Sequence, residues 1–161
     1  MINLDLRHRC YNFFTTGQLE YDPVRKGLKA NNEYWAIINI DNDIAAYYRE
    51  LFYKKYKIRL DRPSWDTHIS VLKNYPQTNK DIPWKHRDGE LTEVAYGNEM
   101  FWNSDHVWLN CHSELFFDIR EHYNINTLDP NFRRSIDTGH ITIGKFKSYQ
   151  QNVLGKFGNY K

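Results

Sequence analysis

The chain has two cysteines in 161 residues, Cys10 and Cys111, and neither belongs to a C-x-x-C pair. That spacing argues against a disulfide framework and against a structural zinc site. No stretch is long and apolar enough to span a membrane. The first residues, MINLDLRHRC, lack the apolar run of a signal peptide, so the expectation is a cytoplasmic protein. An excess of one charge is also missing: the formal net charge is +2. This is not the basic footprint of a protein that coats long nucleic acid, but a local positive pocket for a small anion is compatible with it. There is no P-loop and no dinucleotide-binding glycine pattern. His86-Arg87-Asp88 resembles part of a kinase catalytic loop, yet no glycine-rich loop or D-F-G accompanies it. His106, Cys111 and His112 match no standard metal spacing. No metal and no cofactor are expected.

What the chain does have is aromatic mass, with 12 Tyr, 9 Phe and 5 Trp, and a hydrophobic content of 40%. This suits one folded domain of 161 residues with some rings left to meet a ligand. Residues 1 to 33 show no clear periodicity. Tyr34 to Ile40 reads as a buried strand. Apolar positions Ile44, Tyr47, Leu51 and Phe52 recur at helical spacing, which predicts a helix to about Lys57 with Asn42 or Asp43 as its cap. Trp65 to Leu72 reads as a second strand, and residues 74 to 90 as a long polar loop. Glu93 to Trp102 and His106 to Cys111 read as a strand pair. Ser113 is placed to cap a helix from Glu114 to Tyr123. Residues 124 to 135 read as a loop, and Ile136 to Phe146 contains a last strand.

The second half echoes the first. Arg62-Pro63-Ser64-Trp65-Asp66-Thr67-His68-Ile69-Ser70-Val71-Leu72-Lys73 is matched by Arg133-Arg134-Ser135-Ile136-Asp137-Thr138-Gly139-His140-Ile141-Thr142-Ile143-Gly144-Lys145 when Gly139 is treated as an insertion. In a strand, residues i and i+2 share a face. His68 and Ser70 would share the wet face while Ile69 and Val71 enter the core. His140 and Thr142 would repeat this against Ile141 and Ile143. Two imidazole and hydroxyl pairs suit phosphodiester cleavage. One neutral histidine accepts a proton from the attacking hydroxyl and one protonated histidine donates to the leaving oxygen. The two hydroxyls bind the non-bridging oxygens as charge builds on them. Which histidine is base and which is acid stays open. The bland alternative is a pair of ordinary strand histidines.

Paired H-x-[ST]-h motifs on a duplicated strand–helix–strand chain resemble the 2H phosphoesterase superfamily over roughly residues 34 to 147. Length, aromatic character and the spacing of His68 and His140 look most like its small phage members, the anti-CBASS nucleases that degrade cyclic di- and trinucleotide immune signals. The resemblance implies an α+β, bilobal fold: two antiparallel sheets around a central cleft, pseudo-two-fold symmetry and flanking helices. Lobe one would run over about 34–73 and lobe two over about 93–147, with residues 1–33 and the tail packed on this single domain. It implies His68 and His140 as acid and base, with Ser70 and Thr142 as phosphate ligands. The additional Glu near the C-terminus of the anti-CBASS group has no counterpart, since no Asp or Glu follows Asp137.

The expected activity is metal-independent hydrolysis of cyclic oligonucleotides, in the host-cell cytoplasm if the gene is phage-borne. The alternatives are cleavage of 2′,5′-oligoadenylate or of an RNA 2′,3′-cyclic phosphate, and a non-catalytic nucleotide sponge. The expected ligand is a cyclic oligonucleotide or a short RNA-like phosphodiester. No membrane, long nucleic acid or obligate protein partner is implied. Lys73 and Lys145, five residues after each histidine, could add charge near a phosphate, or be solvated strand-end lysines. Tyr34 could line the cleft or sit in the core. Trp102, beside Asn103-Ser104-Asp105, could stack on a base.

Overall fold

The computed structural model describes residues 11–25, 34–73, 81–125 and 139–150. In chain order its elements are β1 (Phe13–Tyr21), β2 (Ala36–Asn39), α1 (Asn42–Tyr56), β3 (His68–Leu72), β4 (Leu91–Trp102), β5 (His106–His112), α2 (Glu114–His122) and β6 (Gly139–Lys145). The strand expectations are recovered in shortened or slightly extended form. The helix expected from Ile44 starts two residues earlier, and its cap is Asp41, whose carboxylate accepts from the Asp43 amide at 2.9 Å. The Asn42 side chain turns instead to the segment that leads into β3. Ser113 precedes α2 without a side-chain capping bond; its hydroxyl meets that of Thr92 at 3.0 Å. The flank of the second motif from Arg133 to Thr138 lies outside the described residues.

The expected α+β architecture of two lobes is overturned. The six strands form one closed antiparallel barrel in the order β1-β2-β3-β6-β5-β4, with only two short helices among the described residues. Strands assigned to separate lobes are neighbours here. The physical reason is β1, which lies in a segment with no legible periodicity. It pairs with β2 along one side and with β4 along the other. β3 pairs with β6. Every strand edge that two separate sheets would have left open is therefore hydrogen-bonded.

Along the strands, alternate side chains fill one core. Leu19, Ile38, Ile69, Val71, Val94, Leu109 and Ile141 are all essentially sealed from solvent. Ala45, Tyr48 and Phe52 of α1, and Leu115 and Ile119 of α2, join the same cluster. β1 follows this alternation through Gly17, Leu19 and Tyr21. Gly17 hides the pattern from the sequence because its inward position carries no side chain. A Cβ there would stand 2.4 Å from Ile38 Cγ2 and 3.3 Å from the Asn39 carbonyl oxygen. The barrel closes tightly enough at β1 and β2 to require glycine. Gly17→Ala is expected to destabilise the fold by about 1–3 kcal/mol through overpacking, read as a lower urea midpoint. An unchanged midpoint would mean that the β1–β2 seam yields freely.

Candidate active site

β3 and β6 lie side by side and antiparallel, with Ile69 opposite Ile141. In an antiparallel pair this register sets His68 opposite Thr142 and Ser70 opposite His140. Ile69 and Ile141 are core residues, whereas Ser70 is exposed and His68, His140 and Thr142 are half-buried. All four polar side chains therefore stand on the outer face of the barrel wall. A local two-fold axis between Ile69 and Ile141 carries His68 onto His140 and Ser70 onto Thr142. The repeated motifs are thus paired on one surface and do not face each other from two sheets. In such a pairing, directly opposed residues have Cβ atoms about 4.5–5.5 Å apart and diagonal ones lie about 7–8 Å apart. Each imidazole has the partner strand's hydroxyl directly across from it, and the two histidines are diagonal neighbours.

Gly139 proves to be part of β6, not a spacer before it. A Cβ on it would come within 2.9 Å of Ile69 Cγ2 and 3.0 Å of Cys111 Sγ. Its missing side chain lets β6 press against β3 beside the motif.

His68 is held from several sides. The Asn42 side chain accepts from the Thr67 amide at 2.7 Å and donates to the Asp66 carboxylate at 3.2 Å. The Ile40 amide donates to the Thr67 carbonyl at 3.1 Å. The His68 ring donates from Nδ1 to the Asp66 carbonyl at 2.7 Å. A carbonyl can only accept, so Nδ1 carries the proton and Nε2 of the neutral ring keeps its lone pair. Trp35 and Trp65 stand beside the ring at 6.1 and 6.5 Å between centroids. Burial, aided by the charges of Arg25 and Lys73, pushes the His68 pKa below its ordinary value against the opposing Asp66 bond. His68 is therefore neutral at neutral pH. Across the seam, the His140 ring lies 5.2 Å from that of Trp108, whose indole N–H donates to Asn110 at 3.2 Å.

Next to His68 on the β2 side lies a group that the sequence did not reveal. Asn39 pairs with His68 across the strands and with Gln18 of β1. Its side-chain amide donates to Glu20 and its carbonyl accepts from Arg25 at 3.0 Å. Arg25 closes the triangle with Glu20 at 2.8 Å. Burial would raise the Glu20 pKa, but the bonds from Arg25 and Asn39, with the charges of Arg25 and His68, hold it below the usual carboxylate value. Glu20 and Arg25 fall in or just after the unrecognised β1. No sequence signal tied them to His68, because their proximity depends on the β1–β2 register.

The remaining residues expected to bind ligand divide between the neighbourhood of His68 and His106 and other aromatic clusters. Lys73 is exposed just beyond β3, and its charge acts on His68. Lys145 pairs with His106 and donates to the Ser64 hydroxyl at 3.1 Å. Burial, with the Lys145 and Lys73 charges, depresses the His106 pKa. Tyr34, in a left-handed backbone conformation, packs edge-on to Trp84 at 5.1 Å; it is the next residue, Trp35, that meets His68. Trp102 pairs with the core residue Val107 and packs on Phe52 and Tyr56 at 5.9 and 5.4 Å. His68, Ser70, His140 and Thr142 are thus together, Lys145 lies along the same face opposite His106, the Lys73 charge acts on His68 from just beyond β3, and Tyr34 and Trp102 belong to other aromatic clusters. Among the described residues no group of three or more His, Cys, Asp or Glu side chains is placed to hold a metal ion, and no helix is long and apolar enough to cross a membrane.

Comparison with protein-family models, with curated proteins and with solved structures finds no match to this chain.

Proposed function

We propose that the protein is a two-histidine phosphodiesterase acting on a short RNA-like or cyclic oligonucleotide. The observation that carries this reading is the β3–β6 register, which sets two imidazole and hydroxyl pairs about a local two-fold axis on the outer face of the barrel. A phosphate seated over Ile69 and Ile141 would have a hydroxyl and an imidazole on each side. His68, neutral with Nε2 available, suits the base that takes the proton from an attacking ribose hydroxyl or water. His140 then gives a proton to the leaving oxygen as the phosphorus–oxygen bond breaks. Ser70 and Thr142 donate to the non-bridging oxygens, where charge accumulates. A 2′-hydroxyl nucleophile yields a 2′,3′-cyclic phosphate, and water yields a linear one. All the proton transfers are made by side chains. Cyclic di- and trinucleotide signals fit the substrate class, and a phage counter-defence role in the host cytoplasm is the biological setting in keeping with it.

The test is incubation of the purified chain, in EDTA, with 3′,3′ cyclic dinucleotides, cyclic trinucleotides and 2′,5′-oligoadenylate. The expected result is linear products that disappear in His140→Ala, and the substrate consumed fastest names the branch. Ligands that bind and are recovered intact after long incubation would replace this reading with a nucleotide sponge.

A further inference from the structure

Beside the histidine face lies a cleft of about 430 Å³, within the range of small-ligand sites. Its wall is drawn from three parts of the chain: Arg25 after β1, Arg49 of α1, and the Arg62–Thr67 segment that leads into His68. Cleft and candidate active site share a border, since Asp66 and Thr67 line the one and hold His68 in the other.

The charges in the cleft are unbalanced. Three guanidinium groups face one lining carboxylate, Asp66, which already accepts from Asn42. Arg25 is matched by Glu20. Arg49 is fixed by a different bond. β6 carries an extra residue at Ile143, where Val107 pairs with Gly144 but Trp108 pairs with Thr142. The Ile143 carbonyl released by this bulge accepts from Arg49 at 2.7 Å. That contact orients Arg49 without neutralising it. Arg62 is exposed, and neither it nor Arg49 forms an ion pair with a described residue. The two cations are close enough that burial and then the Arg62 charge depress the Arg49 pKa. Lys145 adds a further positive charge at the rim through its bond to Ser64. Trp65, half-buried, lines the cleft, with its ring 5.4 Å from Trp35 and 6.5 Å from His68.

A guanidinium without a carboxylate partner, oriented and partly desolvated as that of Arg49 is, with a second, exposed one beside it, forms a receptor for a phosphate group. An indole at its edge with part of its surface open to solvent is a platform for a base. We infer that Arg49 and Arg62 hold a second phosphate of the substrate, one nucleotide from the phosphate seated between the histidines, with the intervening base against Trp65. The inference rests on the phosphodiesterase reading for the position of the first phosphate. It narrows the substrate class to oligonucleotides with at least two phosphates and excludes nucleoside monophosphates as the preferred ligand.

The experiment compares two linear probes, ApA and its 5′-phosphorylated form pApA, binding to full-length His68→Ala protein, which stops turnover. Calorimetric titration at fixed salt is expected to show pApA bound about tenfold or more tightly than ApA. Arg62→Ala, at an exposed position with no ion pair to a described residue, is expected to remove most of that advantage, and Arg62→Lys to restore part of it. Equal affinity for the two probes, or an advantage that survives Arg62→Ala, overturns the inference. Its failure is separable from that of the catalytic reading. Turnover by the native chain without a phosphate advantage sinks the cleft alone. A phosphate advantage without turnover on any substrate keeps the cleft and sinks the catalysis.

Discussion

His68→Ala is expected to lower phosphodiester cleavage by about 10²–10⁴-fold, the usual contribution of a positioned general base, with little change in fold. Its ring is half-buried on the outer face of β3 and contributes no apolar volume to the barrel core. The pH dependence gives a sharper test than the loss itself. Burial, with Arg25 and Lys73, depresses the His68 pKa below 6.5. A base must be neutral to act, so activity persists as pH falls through 6.5 and is lost only below the depressed value. The acidic limb of kcat/KM, which reports the free enzyme, should therefore lie below pH 6.5. Arg25→Ala removes one of the cations that disfavour the imidazolium form, so it should move that limb upward. A limb at or above 6.5 in the native chain would exclude His68 as the base. A folded His68→Ala protein with full activity would remove the two-histidine mechanism altogether.

The parts of this site that a strand's own period determines were legible from the sequence. H-I-S-V and H-I-T-I assign Ile69 and Ile141 to the core and the polar pairs to the surface, and the burial pattern agrees. What could not be read is which strand lies beside which. Alternation along one strand is compatible with two facing sheets or with two neighbours in one barrel, because pairing partners are chosen by contacts far apart in the chain. The choice depended here on β1, whose inward positions are Gly17, Leu19 and Tyr21 and whose outer ones include the exposed Phe14. A glycine at a core position and a phenylalanine on the surface together erase the two-residue period. Without a period in β1, no sequence signal places Glu20 or Arg25 beside His68. The contact of Arg49 with a bulge carbonyl on β6 spans 94 residues.

A second large effect is expected in the core. Phe52 lies on α1, sealed from solvent. Its ring packs against Tyr56 at 4.7 Å, Trp102 at 5.9 Å and Phe146 at 6.0 Å. Phe52→Ala removes a buried ring and leaves a cavity that three large neighbours cannot readily refill, a loss of about 3–5 kcal/mol. A domain of ordinary stability has about 5–15 kcal/mol in total, so the variant should be close to unfolding at moderate temperature. Urea denaturation followed by circular dichroism would show a much lower midpoint with an unchanged slope. Trp102→Ala belongs to the same experiment, because the sequence suggested a base-stacking role for this indole. Packed on Phe52 and Tyr56, Trp102 should report in the midpoint and leave substrate KM untouched. A raised KM with an unchanged midpoint would return Trp102 to the ligand. A Phe52→Ala loss below about 1 kcal/mol, under the range for deleting a buried ring, would mean that α1 does not pack on the barrel in this way. The Arg49 contact with β6, which that packing positions, would then lose its support.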